Sequence, residues 1–315
     1  MVILLLPVLA CTGPSDTSAP VSGLPEGFHV GVNYPWRSYG SDFGTNAWGV
    51  GGVAQHEDEV AADFAAMADA GVAVVRWFVL TDGRGGLVFD DSMPSALQPE
   101  TLADLDKAVD LAEASGLVLV PSLIDFWWLS EPVELAGVQL GGHADVIGTA
   151  EGREALIEAA IRPLTARYGQ RQGIGAWEII NEPEWAIDGI GGGWLGDAVP
   201  LDAMQRFVAE AAAAIHQEAD QPVTVGSASV AHARTLWVSQ GLDLLQVHSY
   251  DGAALSTDAA EVSQLPCIVG ELGTAAKYGD LSDNIAAVEA RGYGGVWLWS
   301  LRAEDDASDL DLEAL

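Results

Sequence analysis

The feature that most restricts this chain is an alternation. Short apolar runs at 28–34, 72–78, 116–123, 174–180, 222–227, 243–249, 266–271 and 294–300 are separated by Ala-rich stretches with helical spacing. Such runs are what parallel strands covered on both faces require, and the helices between them supply the cover. The first such helix is predicted over Glu57 to Ala70, where Val60, Phe64 and Met67 recur at steps of four and three behind Glu57, Asp58 and Glu59, before Gly71. Acidic residues in a first turn and glycine just past the last suit the helix dipole and its termination. Stretches at 100–114, 150–168, 201–219, 230–239, 256–263 and 281–291 repeat the scheme. The alternation predicts an α/β fold, a closed (β/α)8 TIM barrel over residues 28–315. An open doubly wound sheet would want a glycine-rich phosphate turn after its first strand; Gly31-Val32-Asn33-Tyr34-Pro35-Trp36 is not one, and Gly49-Val50-Gly51-Gly52 follows no strand. Beyond the eighth run Glu304, Asp305, Asp306, Asp309 and Asp311 leave room for at most a short helix at 309–315. The last helix is therefore expected to be short or missing.

The apolar stretch Val2 to Ala10 is too short to cross a bilayer, which takes about 20 residues, and no basic residue precedes it. Val8-Leu9-Ala10-Cys11 resembles a bacterial lipoprotein processing box. Residues 1–10 are thus expected to be an export signal, with Cys11 lipidated; an ordinary cleaved signal and a buried apolar N-terminus are the alternatives. Residues 11–27, rich in Pro, Ser, Thr and Gly, read as a flexible tether. The expected location is outside the cytoplasm, as a cell-surface lipoprotein or a periplasmic or extracellular protein. Cys267, within Pro266-Cys267-Ile268-Val269-Gly270, reads as a core residue, and two cysteines build neither a disulfide framework nor a Cys-rich metal site.

Thirteen Lys and Arg against 46 Asp and Glu give a formal charge of -33, which repels nucleic-acid phosphates and anionic lipid heads. Nucleic acid is excluded as a partner, and membrane contact is expected only through a lipid anchor at Cys11. A neutral ligand feels no such repulsion. Eleven Trp supply flat apolar plates for one, a combination that suits a sugar polymer.

In such a barrel the reactive groups stand at the C-terminal ends of the strands. The first run delivers Asn33, Tyr34 and Trp36, the second Arg76, the third Asp125, Trp127 and Trp128, and the fourth Asn181 and Glu182. The sixth delivers His248 and Tyr250, the seventh Glu271, and the eighth Trp297 and Trp299. A carboxylate at the end of an apolar run must be paired, hydrated or used. Acetal hydrolysis needs two carboxyl groups facing across one bond, and strands four and seven lie across the barrel mouth from each other. Read blandly, Asn181-Glu182-Pro183 is a helix cap and first turn, and Glu271 is an ion-pair partner of Arg76. The scattered histidines assemble no metal site, and no cofactor is expected.

The chain resembles the clan A glycoside hydrolases, and family 5 with its cellulase and mannanase relatives in particular. Their Asn-Glu-Pro after strand four matches Asn181-Glu182-Pro183, which makes Glu182 the implied acid/base, and their strand-seven nucleophile matches Glu271 in Val269-Gly270-Glu271-Leu272. The family arginine falls on Arg76, its His-x-Tyr on His248-Ser249-Tyr250, and its platform tryptophan on Trp299. The match spans about residues 28–302. The resemblance implies a retaining, endo-acting β-glycosidase that hydrolyses β-1,4-linked mannan or glucan by double displacement, as a monomer. An exo-acting glycosidase, a transglycosylase on the same site and a non-catalytic carbohydrate-binding barrel are the alternatives. In that scheme Arg76 helps keep Glu271 ionised, Tyr250 orients it, His248 lines the site and Asn181 grips the sugar 2-hydroxyl. Trp299 is the sugar platform, and Trp36, Trp127, Trp128, Trp185, Trp194 and Asp125 are candidate substrate contacts. The chain departs from many cellulases at Ser122-Leu123-Ile124-Asp125-Phe126-Trp127-Trp128, where they show a histidine, while Arg76-Trp77-Phe78 followed by Asp82-Gly83 looks more like mannanases. The long loops 34–55, 79–99 and 126–148 are expected to shape the groove.

Overall fold

A computed structural model describes residues 23–190, 195 and 198–315. The expectations for residues 1–10, Cys11 and Trp194 lie outside the described residues. Eight parallel strands close into a barrel: β1 His29–Asn33, β2 Val74–Phe78, β3 Val118–Asp125, β4 Trp177–Asn181, β5 Val223–Ser227, β6 Leu245–Ser249, β7 Cys267–Gly273 and β8 Gly295–Trp299. Each strand pairs with its sequence neighbours, and β8 pairs back onto β1 from His29↔Gly295 to Asn33↔Trp299. In β2 all five residues of Val74-Val75-Arg76-Trp77-Phe78 are buried, as a strand with cover on both faces demands.

The helix at Glu57–Asp69 buries Val60, Phe64 and Met67 against Tyr34 and Trp77, whose rings meet edge-on at 4.7 Å. Tyr34 is thus core, its hydroxyl tied to Asp63 at 2.7 Å, and Trp297 is likewise enclosed. The stretches read as helices at 150–168 and 230–239 contain π turns, at Ile157–Ile161 and Ala233–Trp237. Beyond β8 only the three-residue turn Leu312–Ala314 is helical among the described residues, so the last helix is indeed missing in all but name. The acidic segment instead folds back over the barrel mouth, where Thr274 and Ala275 donate backbone N–H groups to Ala307.

Two hairpins arise in the long loops, Leu87–Asp90 with Met93–Leu97 and Val133–Leu135 with Val138–Leu140. Their strands are too short to give a readable alternation. Register shifts interrupt the barrel ladder between Glu178 and Asn181, between Val247 and His248, and between Val269 and Leu272. All three lie where β4, β6 and β7 approach the mouth, and irregularities of this kind re-aim side chains at strand ends.

Candidate active site

The site begins beneath the mouth with a buried guanidinium. Arg76 on β2 donates Nε and Nη2 to the two oxygens of Glu178 on β4 (2.5 and 2.6 Å), Nη1 to Asn33 and Glu271 (2.8 and 2.6 Å), and Nη2 also to Asn181 (2.7 Å). Glu178 receives two further bonds, from Ser122 Oγ at 2.8 Å and Gln246 Nε2 at 2.7 Å. Burial alone would raise its pKa, but Arg76 and Gln246 outweigh burial and hold it below the ordinary value. With four donors on two oxygens it stays charged, so the fork fixes the plane of Arg76 and hence the direction of Nη1. Gly226 on β5 leaves the room: a Cβ there would stand 2.8 Å from Glu178 Oε1 and 3.0 Å from Arg76 Nη2.

Glu271 sits above this network. Its Oε1 takes the Arg76 bond, its Oε2 accepts from the Tyr250 hydroxyl at 2.6 Å, and His248 Nδ1 stands 3.4 Å away. Burial pushes its pKa up; His248, Arg76 and Tyr250 work against burial, while Glu182 works with it. Glu182 faces it from β4. One oxygen is 2.7 Å from His248 Nδ1 and the other accepts the Trp185 indole N–H at 2.7 Å. Donor atoms of Glu182, His248 and Glu271 all lie within 4.8 Å of one another. Burial is the largest cause that lifts the Glu182 pKa, to about 7; Glu184 and Glu178 add to it, and Trp185 and Arg76 oppose it. Its backbone is left-handed, φ 42 and ψ 50, a conformation that costs a non-glycine residue energy and clusters at functional sites.

The sequence expectations for Arg76, Asn181, Glu182, His248, Tyr250 and Glu271 meet in one cluster. The bland partner proposed for Glu271, Arg76, is real, but it serves two carboxylates at once. Asp125 differs from expectation: its oxygens accept from Asn181 Nδ2 at 2.7 Å and Trp127 N at 2.9 Å, so it holds Asn181 rather than presenting itself to a ligand. Burial raises its pKa to about 7 against those two bonds. Trp128 is a clear correction. It is 0% exposed, with its ring 4.5 Å from that of His143, so no face is left for a sugar. Trp299 keeps 9% exposure at the mouth, donates Nε1 to Asp305 at 2.8 Å, and packs with Phe78, Trp36 and Tyr250. Trp36 is half-buried beside it, ring centroids 6.2 Å apart, and Trp127 is 37% exposed on the β3 loop. Trp185 reaches the site through its N–H to Glu182. Missed by the sequence reading were Glu178 and the role of Asn33. The usable signal was a glutamate set inside the apolar run Ala176-Trp177-Glu178-Ile179-Ile180, where a charge needs a partner.

The His–Glu–Glu cluster has ligand atoms close enough for a cation, but the Glu182 carboxyl is already met by His248 Nδ1 and the Trp185 indole, and that of Glu271 by Arg76 and Tyr250. The arrangement provides a carboxyl group poised near neutrality, a carboxylate held by a fixed arginine and phenol, and an indole wall.

No family model matches the chain. The mannan endo-1,4-β-mannosidase of Cryptopygus antarcticus is 23% identical over 90% of this chain and 82% of its own length. That of Mytilus edulis is 22% identical over 95% of this chain and 92% of its own. The crystal structure of endo-1,4-β-mannanase from Eisenia fetida superposes with a TM-score of 0.76 at 21% identity, covering 91% of this chain and 90% of that one.

Proposed function

We propose that this chain, which has the clan A, family 5-like glycoside hydrolase fold and is homologous to mannanases, is an O-glycosyl hydrolase that cuts β-1,4-linked mannan internally with retention of configuration. One observation carries the reading: Glu182 and Glu271 place carboxylate oxygens within 4.8 Å of each other in unequal surroundings. Retaining sites hold the two carboxyl groups about 5–5.5 Å apart and inverting sites about 6.5–9.5 Å, to admit a water. The shorter spacing favours direct attack.

In the first step the ionised Glu271 attacks the anomeric carbon and forms a glycosyl ester, while Glu182 gives its proton to the departing sugar oxygen. Arg76 and Tyr250 orient the attacking carboxylate. Esterification removes the negative charge of Glu271, and a like charge so close disfavours the ionised form of Glu182. Its pKa falls, and the same group then takes a proton from the water that hydrolyses the ester. Asn181, held between Arg76 and Asp125, stands beside the pair to meet the 2-hydroxyl.

Mannan is favoured over glucan by the mannanase relatives, which match along nearly the whole barrel. The test is a panel of mannan, glucomannan, carboxymethyl cellulose, xylan and mixed-linkage glucan, with the product anomer followed by proton NMR. The reading expects mixed-length products from mannan with the β-anomer appearing first. First formation of the α-anomer, or release of single end units alone, would overturn the retaining or the endo part. Export with lipidation at Cys11 is proposed on the processing-box resemblance alone. Cys11→Ala is expected to release the protein from membranes into the soluble fraction, and an unchanged distribution counts against the anchor.

A further inference from the structure

The turn that carries Glu182 is fastened from behind by another carboxylate. Glu182 leaves β4 with its N–H bonded to Gly226 O of β5 at 2.7 Å, enters the left-handed region, and is followed by the short turn Pro183–Ala186. Glu184, inside that turn, is 0% exposed. Its Oε1 accepts from Ser227 Oγ and from the Trp237 indole N–H, both at 2.6 Å, and its Oε2 accepts from Ala228 N at 3.1 Å. Ser227 ends β5, and Trp237 ends the π turn outside it. Main chain at Glu182 and side chain at Glu184 therefore tie the turn to one neighbouring strand end, and the strained backbone of Glu182 is held from both sides.

Anchoring alone does not call for a charge. An amide oxygen could accept from Ser227 and Trp237 equally well, and burying a carboxylate without a counter-ion is costly. Glu178, the other buried carboxylate of this region, has Arg76 against it. Glu184 has three neutral donors and, among the described residues, no Lys or Arg within ion-pair distance. A paired charge is largely cancelled for its neighbours, whereas one held by neutral groups in a low-dielectric interior acts on them undiminished. The neighbour two residues away is Glu182. The titratable and charged groups around Glu182 are Arg76 on β2, Asp125 on β3, Glu178 on β4, His248 and Tyr250 at β6, and Glu271 on β7. Among the fixed charges that act on its carboxyl, Glu184 outweighs both Arg76 and Glu178 and favours the protonated form.

We propose that Glu184 is a positioning residue for the acid/base step: its carboxylate pins the Glu182 turn to β5 and sets a buried negative charge behind the group that must carry a proton. The proposal rests on the glycosidase reading for what that proton does, though not for where it sits.

Glu184→Gln keeps the length of the side chain and its Oε1 bonds and removes the charge. With kcat/KM on mannan followed from pH 5 to 9, the alkaline limb of this variant is expected about one unit below that of wild type, a loss of about tenfold at pH 8 with little change at pH 5. A limb in the wild-type position, or an equal loss at both pH values, would overturn the proposal. Glu184→Asp keeps the charge and shortens the reach, so its limb is expected within about 0.3 unit of wild type with kcat lowered at every pH. A limb displaced by a full unit would overturn the charge, and an undiminished kcat the anchor, and both outcomes can be read even where the glutamine variant does not fold. The same titration is read without substrate. The Trp185 indole N–H is bonded to Glu182 at 2.7 Å, so its proton NMR shift follows that carboxyl, and the signal is assigned by its loss in Trp185→Phe. Its midpoint is expected near 7 in wild type and about one unit lower in Glu184→Gln, and equal midpoints would again overturn the proposal. A wild type that cleaves neither mannan nor an aryl mannoside while the midpoint still falls would sink the glycosidase reading and leave Glu184 in its place behind Glu182.

Discussion

The ends of β4 and β7 present the same side chain to the same space and treat it in opposite ways. Glu271, at the β7 end, rests on a guanidinium and a phenol, both donors that reward its ionised form. Glu182, at the β4 end, has an indole and an imidazole for neighbours, with the carboxylates of Glu184 and Glu178 close enough to discourage a further negative charge. Burial is the largest influence on both and raises the pKa of both, so it does not tell them apart. The difference lies in where the fixed guanidinium of Arg76 points, and that is set by Glu178, the carboxylate that grips its other side. On the proposed mechanism, a pair of chemically identical groups is thus divided into a nucleophile and an acid by a third carboxylate that never reaches the mouth.

The sharpest way to break this comparison is to remove each member. Glu271→Ala is expected to abolish turnover on every substrate, a loss on the order of 10⁵-fold or more, comparable with deleting a nucleophile elsewhere. Glu182→Ala is expected to cost roughly 10²–10⁴-fold on mannan, as loss of an acid/base group does. Aryl mannosides with good leaving groups should still esterify Glu271 in that variant, and azide should restore its second step. Equal losses for both variants on both substrates would erase the division of labour.

A smaller effect tests what sets the division. Glu178→Gln leaves Arg76 with one carboxylate instead of two, and removing one partner of a buried pair typically costs about 3–5 kcal/mol. Urea unfolding should show that loss, whereas a change within about 0.5 kcal/mol would mean that the fork is dispensable.

The pH profile follows from the raised carboxyl. Glu182 must be protonated to donate, and its pKa is raised to about 7, so kcat/KM should fall as pH rises through about 7. The smallest expected effect refines this. The Trp185 N–H favours the ionised form of Glu182, so Trp185→Phe should move the alkaline limb to higher pH by less than about one unit. A shift to lower pH would place the limb on another group.

The barrel was legible because each layer of it repeats a short rule, an apolar run and then an amphipathic helix, eight times. The six residues that meet at the mouth were legible because strand ends are fixed once the runs are located. What escaped depended on contacts between runs. Glu178 looked like one polar letter in an apolar stretch, and only the closure of the barrel brings Arg76, Ser122 and Gln246 to it from three other strands. Trp128 and Trp127 are adjacent in sequence, yet the turn at Phe126–Leu129 buries one and exposes the other. The hairpin whose Phe89 packs on Trp128, like the segment that brings His143 to it, carries no periodicity long enough to announce itself, so no reading of the sequence alone separates the two indoles.

The division of roles is tested most directly by trapping the covalent intermediate. An activated 2-deoxy-2-fluoro-β-mannoside should leave one fluorosugar on the protein, and peptide mass mapping should place it on the Glu271 carboxylate. A label on Glu182 or elsewhere, or no label while the reagent is still turned over, would contradict the account.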